Sequence, residues 1–138
     1  MRIGITQRII REPKHGEHRD ELSHDWIDYL TQNFPKAYLI PIPNFTILSD
    51  DWFDNLKLDL LILSNGNDLG EFDRRDQLEL HAIDFAVKNS IPVIGFCRGF
   101  QIINEYFGGK LTSKIEKETD QQHVSIEHDV EIIDERYI

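Results

Sequence analysis

The chain of 138 residues contains a single cysteine, Cys97, and the residues around it suit a nucleophile. Gly95-Phe96-Cys97-Arg98-Gly99 has the form G-x-C-x-G and lies between an apolar run and a helical stretch. A strand turning sharply into a helix presents the central residue as a nucleophile elbow, here with sulfur in place of serine oxygen. The two glycines let the turn close where side chains would meet neighbouring backbone. Cys97 then sits at a helix N-terminus, where unpaired N–H groups favour the thiolate, the reactive form. The same N–H groups can take the negative charge of a tetrahedral intermediate. A lone cysteine is otherwise often an inert small core residue. The placement between strand and helix is what favours the nucleophile.

Other clusters carry weaker signals. Arg8, Glu17, Arg19 and Asp20 fall after the first strand and at the start of the next helical pattern. They could face a ligand, or the acids could simply suit a solvated helix N-terminus. His15, His18 and His24 lack a second cysteine or an H-E-x-x-H pattern, so they read as surface residues. No metal and no cofactor is expected. Arg74, Arg75, Asp76 and Glu79 share a helical turn, and Arg75 and Glu79 are spaced for an intrahelical ion pair. The loop Asn65 to Gly70 lacks the Lys-Ser/Thr of a phosphate cradle.

The elements that must position Cys97 can be read from periodicity. Strands are expected over 2–6, 37–42 (ended by Pro41 and Pro43), 58–63 and 91–96, the last two as nearly continuous apolar runs covered on both faces. Helices are expected over 17–32, with Leu22, Trp26, Ile27 and Leu30 inward, and over 73–88, with Leu78, Ala82, Ile83, Phe85 and Ala86 inward. A short helical turn over 51–56 and a helix over 98–107, stopped by Gly108-Gly109, complete the pattern. The tail alternates at Val124, Ile126, His128, Val130 and Ile132, as a strand or hairpin does. Four strand–helix alternations predict an α/β fold: an open, mostly parallel sheet with helices on both faces, in a single domain over residues 1–138. Sites in such sheets form at the carboxyl ends of the strands, here after Thr6, after Leu63 and at Cys97.

Composition narrows the partners. There are 25 acidic residues against 15 basic ones, a net charge of −10, so nucleic acid is an unsuitable partner. One cysteine excludes a disulfide scaffold and points to a reducing compartment. No apolar run reaches the roughly 18 residues of a membrane span, and no signal peptide is legible at Met1 to Thr6. A soluble, cytoplasmic protein is expected.

Gly95-Phe96-Cys97-Arg98-Gly99-Phe100-Gln101 resembles the nucleophile motif of class I glutamine amidotransferases, in the γ-glutamyl hydrolase branch. Further matching segments are Gly4-Ile5-Thr6-Gln7-Arg8, Leu63-Ser64-Asn65-Gly66-Asn67-Asp68, Arg75-Asp76-Gln77-Leu78-Glu79, Tyr106 to Leu111 and His128-Asp129-Val130. The resemblance implies a flavodoxin-like fold and a small-molecule γ-glutamyl substrate. It implies that Cys97 attacks the γ-carbonyl to form a thioester and that the Gly66 and Arg98 N–H groups form the oxyanion hole. Gln101 would hold the glutamyl group. Asn65, Arg8, Asp76 and Glu79 are further candidates for substrate contact, Asp76 and Glu79 alternatively as supports of the loop. The segments around Arg8 and Glu17 to Asp20 look like relatives that cleave γ-glutamyl nucleotide amidates.

The sequence departs from the family in two places. Asn65 stands where the branch usually has a glycine before Gly66, and asparagine tolerates positive φ better than most residues. The family's late catalytic His-x-Glu has no counterpart, since His123 and His128 fall in the stretch before it and the sequence ends at Ile138. The chain thus reads as the family's domain cut short, with turnover weakened by loss of an acid–base group that typically contributes about 10²–10⁴-fold. Two alternatives stay open: a glutaminase subunit passing ammonia to a synthase partner, and a truncated or non-catalytic glutamyl-binding domain. A shortened sheet also exposes an edge and an apolar face, which predicts self-association or poor solubility. Sedimentation of the isolated chain checks this: oligomers are expected, and a clean monomer would contradict it.

Overall fold

Four short runs of branched and apolar residues form one parallel sheet. In the structure, a computed structural model describing residues 1–46 and 49–112, these are β1 (Arg2–Thr6), β4 (Tyr38–Ile42), β5 (Leu60–Leu63) and β6 (Val93–Gly95). Their spatial order is β4-β1-β5-β6, with Ile3 opposite Leu39 and Leu60, and Leu63 opposite Gly95. Parallel neighbours need crossovers, and the helices supply them: α1 (His24–Asn33), α2 (Asp50–Leu56) and α3 (Asp73–Lys88), with α4 (Arg98–Tyr106) leaving β6. This is the open α/β architecture expected from the alternation, flavodoxin-like as the family resemblance implies.

The pleat sorts the core into two faces. Ile42, Leu61 and Leu63 point to one side, against Phe53 of α2, Leu78, Ala82 and Ile83 of α3 and Ile102 of α4. Ile3, Ile5 and Ile62 point to the other, against Leu30 and Trp26 of α1. All five inward positions expected on α3 are buried. Pro41 lies inside β4 rather than ending it. Among the described residues β4 pairs only with β1, and the missing N–H lies on the side of the strand away from β1. Among the described residues no helix is long and apolar enough to cross a membrane.

One region departs from expectation. Residues 17–21 do not begin a helix. Strands β2 (Arg8–Arg11) and β3 (His18–Glu21) form an antiparallel hairpin, Arg8 opposite Glu21 and Arg11 opposite His18. The connection closes through Glu12 N–H to Glu17 O at 2.8 Å and turns at Gly16, φ +71°. The hairpin is polar on nearly every position, with only Ile9 buried, so it shows no apolar alternation to read. Helix α1 instead starts at Ser23, whose side chain accepts from the Asp25 N–H. Glu17 and Asp20 are therefore not helix N-terminal residues. Asp20 accepts from the backbone and side chain of buried Asn44, each at 2.8 Å, which fastens the hairpin to the loop after β4. The expected tail strand and the histidines at 123 and 128 lie outside the described residues.

Leu78 has no exposed surface and sits in the larger core, so Leu78→Ala should lower unfolding free energy by about 2–5 kcal/mol in urea denaturation. Val87→Ala, on the exposed side of the same helix, should stay within about 0.5 kcal/mol.

Candidate active site

The turn from β6 into α4 is held by backbone contacts that leave no room for side chains. Phe96 N–H donates to Leu63 O at 3.0 Å and Gly99 N–H to Phe96 O at 2.9 Å. A Cβ on Gly95 would lie 2.4 Å from the Gly99 carbonyl, and one on Gly99 would lie 2.1 Å from Leu63 O. Both glycines of G-x-C-x-G are thus demanded by close backbone approach rather than by positive φ. The unusual dihedrals fall on Cys97 itself, φ 50° and ψ −106°, as the residue capping α4. A non-glycine residue held there stores of order 1–3 kcal/mol of strain. Cys97 is exposed, and its carbonyl accepts from Gln101 N–H at 3.1 Å. A trans peptide points its C=O and N–H oppositely. With the Cys97 carbonyl turned along the helix, the N–H of Arg98 points out of its N-terminus.

The loop after β5 is fixed by α3. Ser64 N–H donates to Thr6 Oγ1 at 3.0 Å, joining it to the end of β1. The chain then bends through Gly66, φ +80°, and Asn67, φ +58°. Arg75, with no exposed surface, reaches up from the first turn of α3. Its Nη2 donates to Ser64 O at 3.0 Å, Ser64 Oγ at 3.1 Å and Asn65 O at 3.1 Å. Its Nη1 donates to Gly66 O at 2.5 Å and Asn67 Oδ1 at 3.0 Å. The Asn65 carbonyl and the Gly66 N–H belong to one peptide unit, so holding the first on Arg75 aims the second away from it. Asn67 in turn brackets Ile9, accepting from its N–H at 2.8 Å and donating to its carbonyl at 3.0 Å, which locks the hairpin to the loop.

Glu79 joins this loop to the elbow. It is fully buried; one oxygen accepts from Arg75 Nε at 3.0 Å and the other from Arg98 Nη1. Asp76 accepts from Arg98 Nη2 and, through its other oxygen, from Gly70 N–H at 2.8 Å. Two guanidinium and two carboxylate groups thus neutralise each other beneath the two turns. Burial lowers the Arg75 pKa from its usual guanidinium value; the charge of Glu79 is the largest opposing influence and Arg98 lowers it further. Glu79, a candidate for substrate contact or alternatively for support of the loop, has neither exposed surface nor a free oxygen.

The remaining candidates line the surface above. Arg8 pairs with Glu21 across the hairpin, and its stem packs under Gly66, where an added Cβ would meet Arg8 Cδ at 3.0 Å. Trp26 donates from its indole to Asn65 Oδ1 at 3.1 Å and meets the Phe96 ring edge-on at 4.8 Å. A polar cleft of about 230 Å³ runs from Arg8 and Glu21 to Ser64 and Asn65. A more apolar one of about 280 Å³ lies between Trp26, Tyr29, Asn65 and Phe96. Gln101 is half-buried on the first turn of α4.

By spacing alone Arg75 reads as a plain intrahelical partner and Trp26 as a core residue. For Arg75 a signal existed. Positions 75, 78, 79, 82, 83 and 86 form one helical stripe, so Arg75 and Glu79 stand in phase with Leu78, Ala82, Ile83 and Ala86. Charges at core phase are unusual and announce buried partners.

Residues 65–137 match the peptidase C26 family. A γ-glutamyl-CDP-amidate hydrolase of Campylobacter jejuni is 32% identical over 118 residues, covering 81% of this chain and 58% of that protein. A protein of Lactococcus lactis subsp. lactis described as glutamine amidotransferase-like, YvdE, is 30% identical over 114 residues, covering 69% of this chain and 48% of its own. The chain therefore spans about half of these relatives' length.

The glycine contacts give a direct check. Gly99→Ala must push the elbow off the Leu63 carbonyl and should destabilise by about 1–3 kcal/mol. Gly70→Ala, at φ +84° but with open space around it, isolates the backbone term alone. Thermal melts of both variants should show the larger loss for Gly99→Ala; equal losses would contradict the close packing described.

Proposed function

The chain belongs to the peptidase C26, class I glutamine amidotransferase-like family, and on that premise we propose that it cleaves γ-glutamyl amide bonds through Cys97. The Cys97 thiolate adds to the γ-carbonyl carbon, and the carbonyl oxygen takes the negative charge. Backbone N–H groups of Gly66 and Arg98 receive that charge. Collapse breaks the C–N bond, the departing nitrogen takes a proton from water and leaves as the amine, and a γ-glutamyl thioester remains on Cys97. Water then splits the C–S bond, releasing glutamate and the thiol.

The observation that carries this reading is Cys97 itself: exposed, in a strained conformation at the head of α4, between two glycines that backbone contacts demand. Gln101, one turn along α4, serves the glutamyl group. In this reading the amine half lies over the clefts beside Asn65, with Arg8 at the far rim. A nucleotide amidate is the favoured leaving half, supported by the Campylobacter relative's γ-glutamyl-CDP-amidate activity and by an aromatic wall of Trp26 and Phe96 that suits a base.

The test is intact mass after incubation with a glutamine-mimicking diazoketone. One adduct per wild-type chain, and none on Cys97→Ser, is the expected result. A folded wild type that stays unlabelled, or equal labelling of both proteins, would refute the assignment.

A further inference from the structure

We propose that Arg75, Glu79 and Asp76 of α3 are positioning residues that hold the two oxyanion donors, the N–H groups of Gly66 and Arg98, in one fixed arrangement. The proposal rests on the reading that Cys97 performs acyl chemistry at those donors. The donors come from separate segments, the loop after β5 and the head of α4. An oxyanion hole works only if both reach one oxygen, at about 2.7–3.1 Å each.

The structure supplies a strut between them. Arg75 grips the carbonyls of Ser64, Asn65 and Gly66 and thereby turns the Gly66 N–H outward. Glu79 carries the connection across, bonded to Arg75 on one oxygen and Arg98 on the other. Asp76 holds the second arm of Arg98 and also Gly70 at the far end of the loop. Arg98 thus contributes twice: its backbone N–H opens from the helix head while its buried side chain fixes where that head sits. An isolated ion pair would explain none of this geometry, since Arg75 makes five of its hydrogen bonds to residues 64–67 rather than to a carboxylate.

Positioning can be separated from mere stability by comparing two reactions of the same thiol. Acylation by 4-nitrophenyl acetate forms a C–S bond, places charge on the carbonyl oxygen, and then breaks the C–O bond, expelling nitrophenolate, which needs no proton. Alkylation by iodoacetamide forms a C–S bond as iodide leaves and develops no oxyanion. In Glu79→Gln, acylation should fall about 10–10²-fold, the scale expected when a donor is misplaced, while alkylation stays within about twofold. Asp76→Asn, at a partly exposed position, should show a smaller fall with the same selectivity and serves if Glu79→Gln does not fold. The proposal is overturned if acylation and alkylation change together in folded variants, or if neither changes. The γ-glutamyl reading is judged separately on the wild type: it fails if a 4-nitrophenyl γ-glutamyl ester acylates no faster than the acetate. The acetate comparison among variants stands in either case.

Discussion

A guanidinium sealed from water has five N–H donors to satisfy and no acceptor of its own. Arg75 meets that requirement with Glu79 and with consecutive carbonyls of the loop after β5. The loop's shape follows from this demand. Its positive-φ residues, Gly66 and Asn67, are where the chain must bend to bring its carbonyls round to one side chain. Everything above depends on it: the direction of the Gly66 N–H, the seat of Asn65 against Trp26, and the docking of the hairpin through Asn67.

The charges beneath the site are balanced, two guanidinium against two carboxylate groups, and that balance makes burial tolerable. A buried pair gains little over well-packed apolar residues, yet removing one partner typically costs about 3–5 kcal/mol because the other is left uncompensated. Such a quartet is a poor source of stability and a good source of fixed geometry. Its location fits the second role. It sits under the joint between β5 and β6, where Leu63 O takes the Phe96 N–H and Gly99 packs against the same carbonyl.

Much of the fold is legible in the sequence because β5, covered on both faces, reads as an apolar run and α3 keeps a regular stripe, whereas β6, expected to be covered in the same way, has Val93 half-buried and Ile94 exposed among the described residues. The elbow is legible for a stronger reason: its two glycines are required by contacts, and such contacts leave a residue signature. The β2–β3 hairpin is not legible. Arg8–Arg11 and His18–Glu21 carry polar residues at six of their eight positions, so pairing rests on backbone bonds, the Arg8–Glu21 pair and Asp20's grip on Asn44. The Arg75–Glu79–Arg98 bridge was half visible. Spacing gave its first pair, but only the fold brings Arg98, 19 residues beyond Glu79, onto the free oxygen.

In the proposed arrangement one buried ionic bridge makes a single oxyanion hole from two segments of chain. Its most direct test is a crystal structure of Cys97 modified by a γ-glutamyl aldehyde, whose hemithioacetal oxygen imitates the intermediate. That oxygen is expected at about 2.7–3.1 Å from both the Gly66 and Arg98 nitrogens, above an unbroken Arg75–Glu79–Arg98 bridge. An oxygen turned to solvent, or bonded to one nitrogen while the bridge is intact, would contradict it.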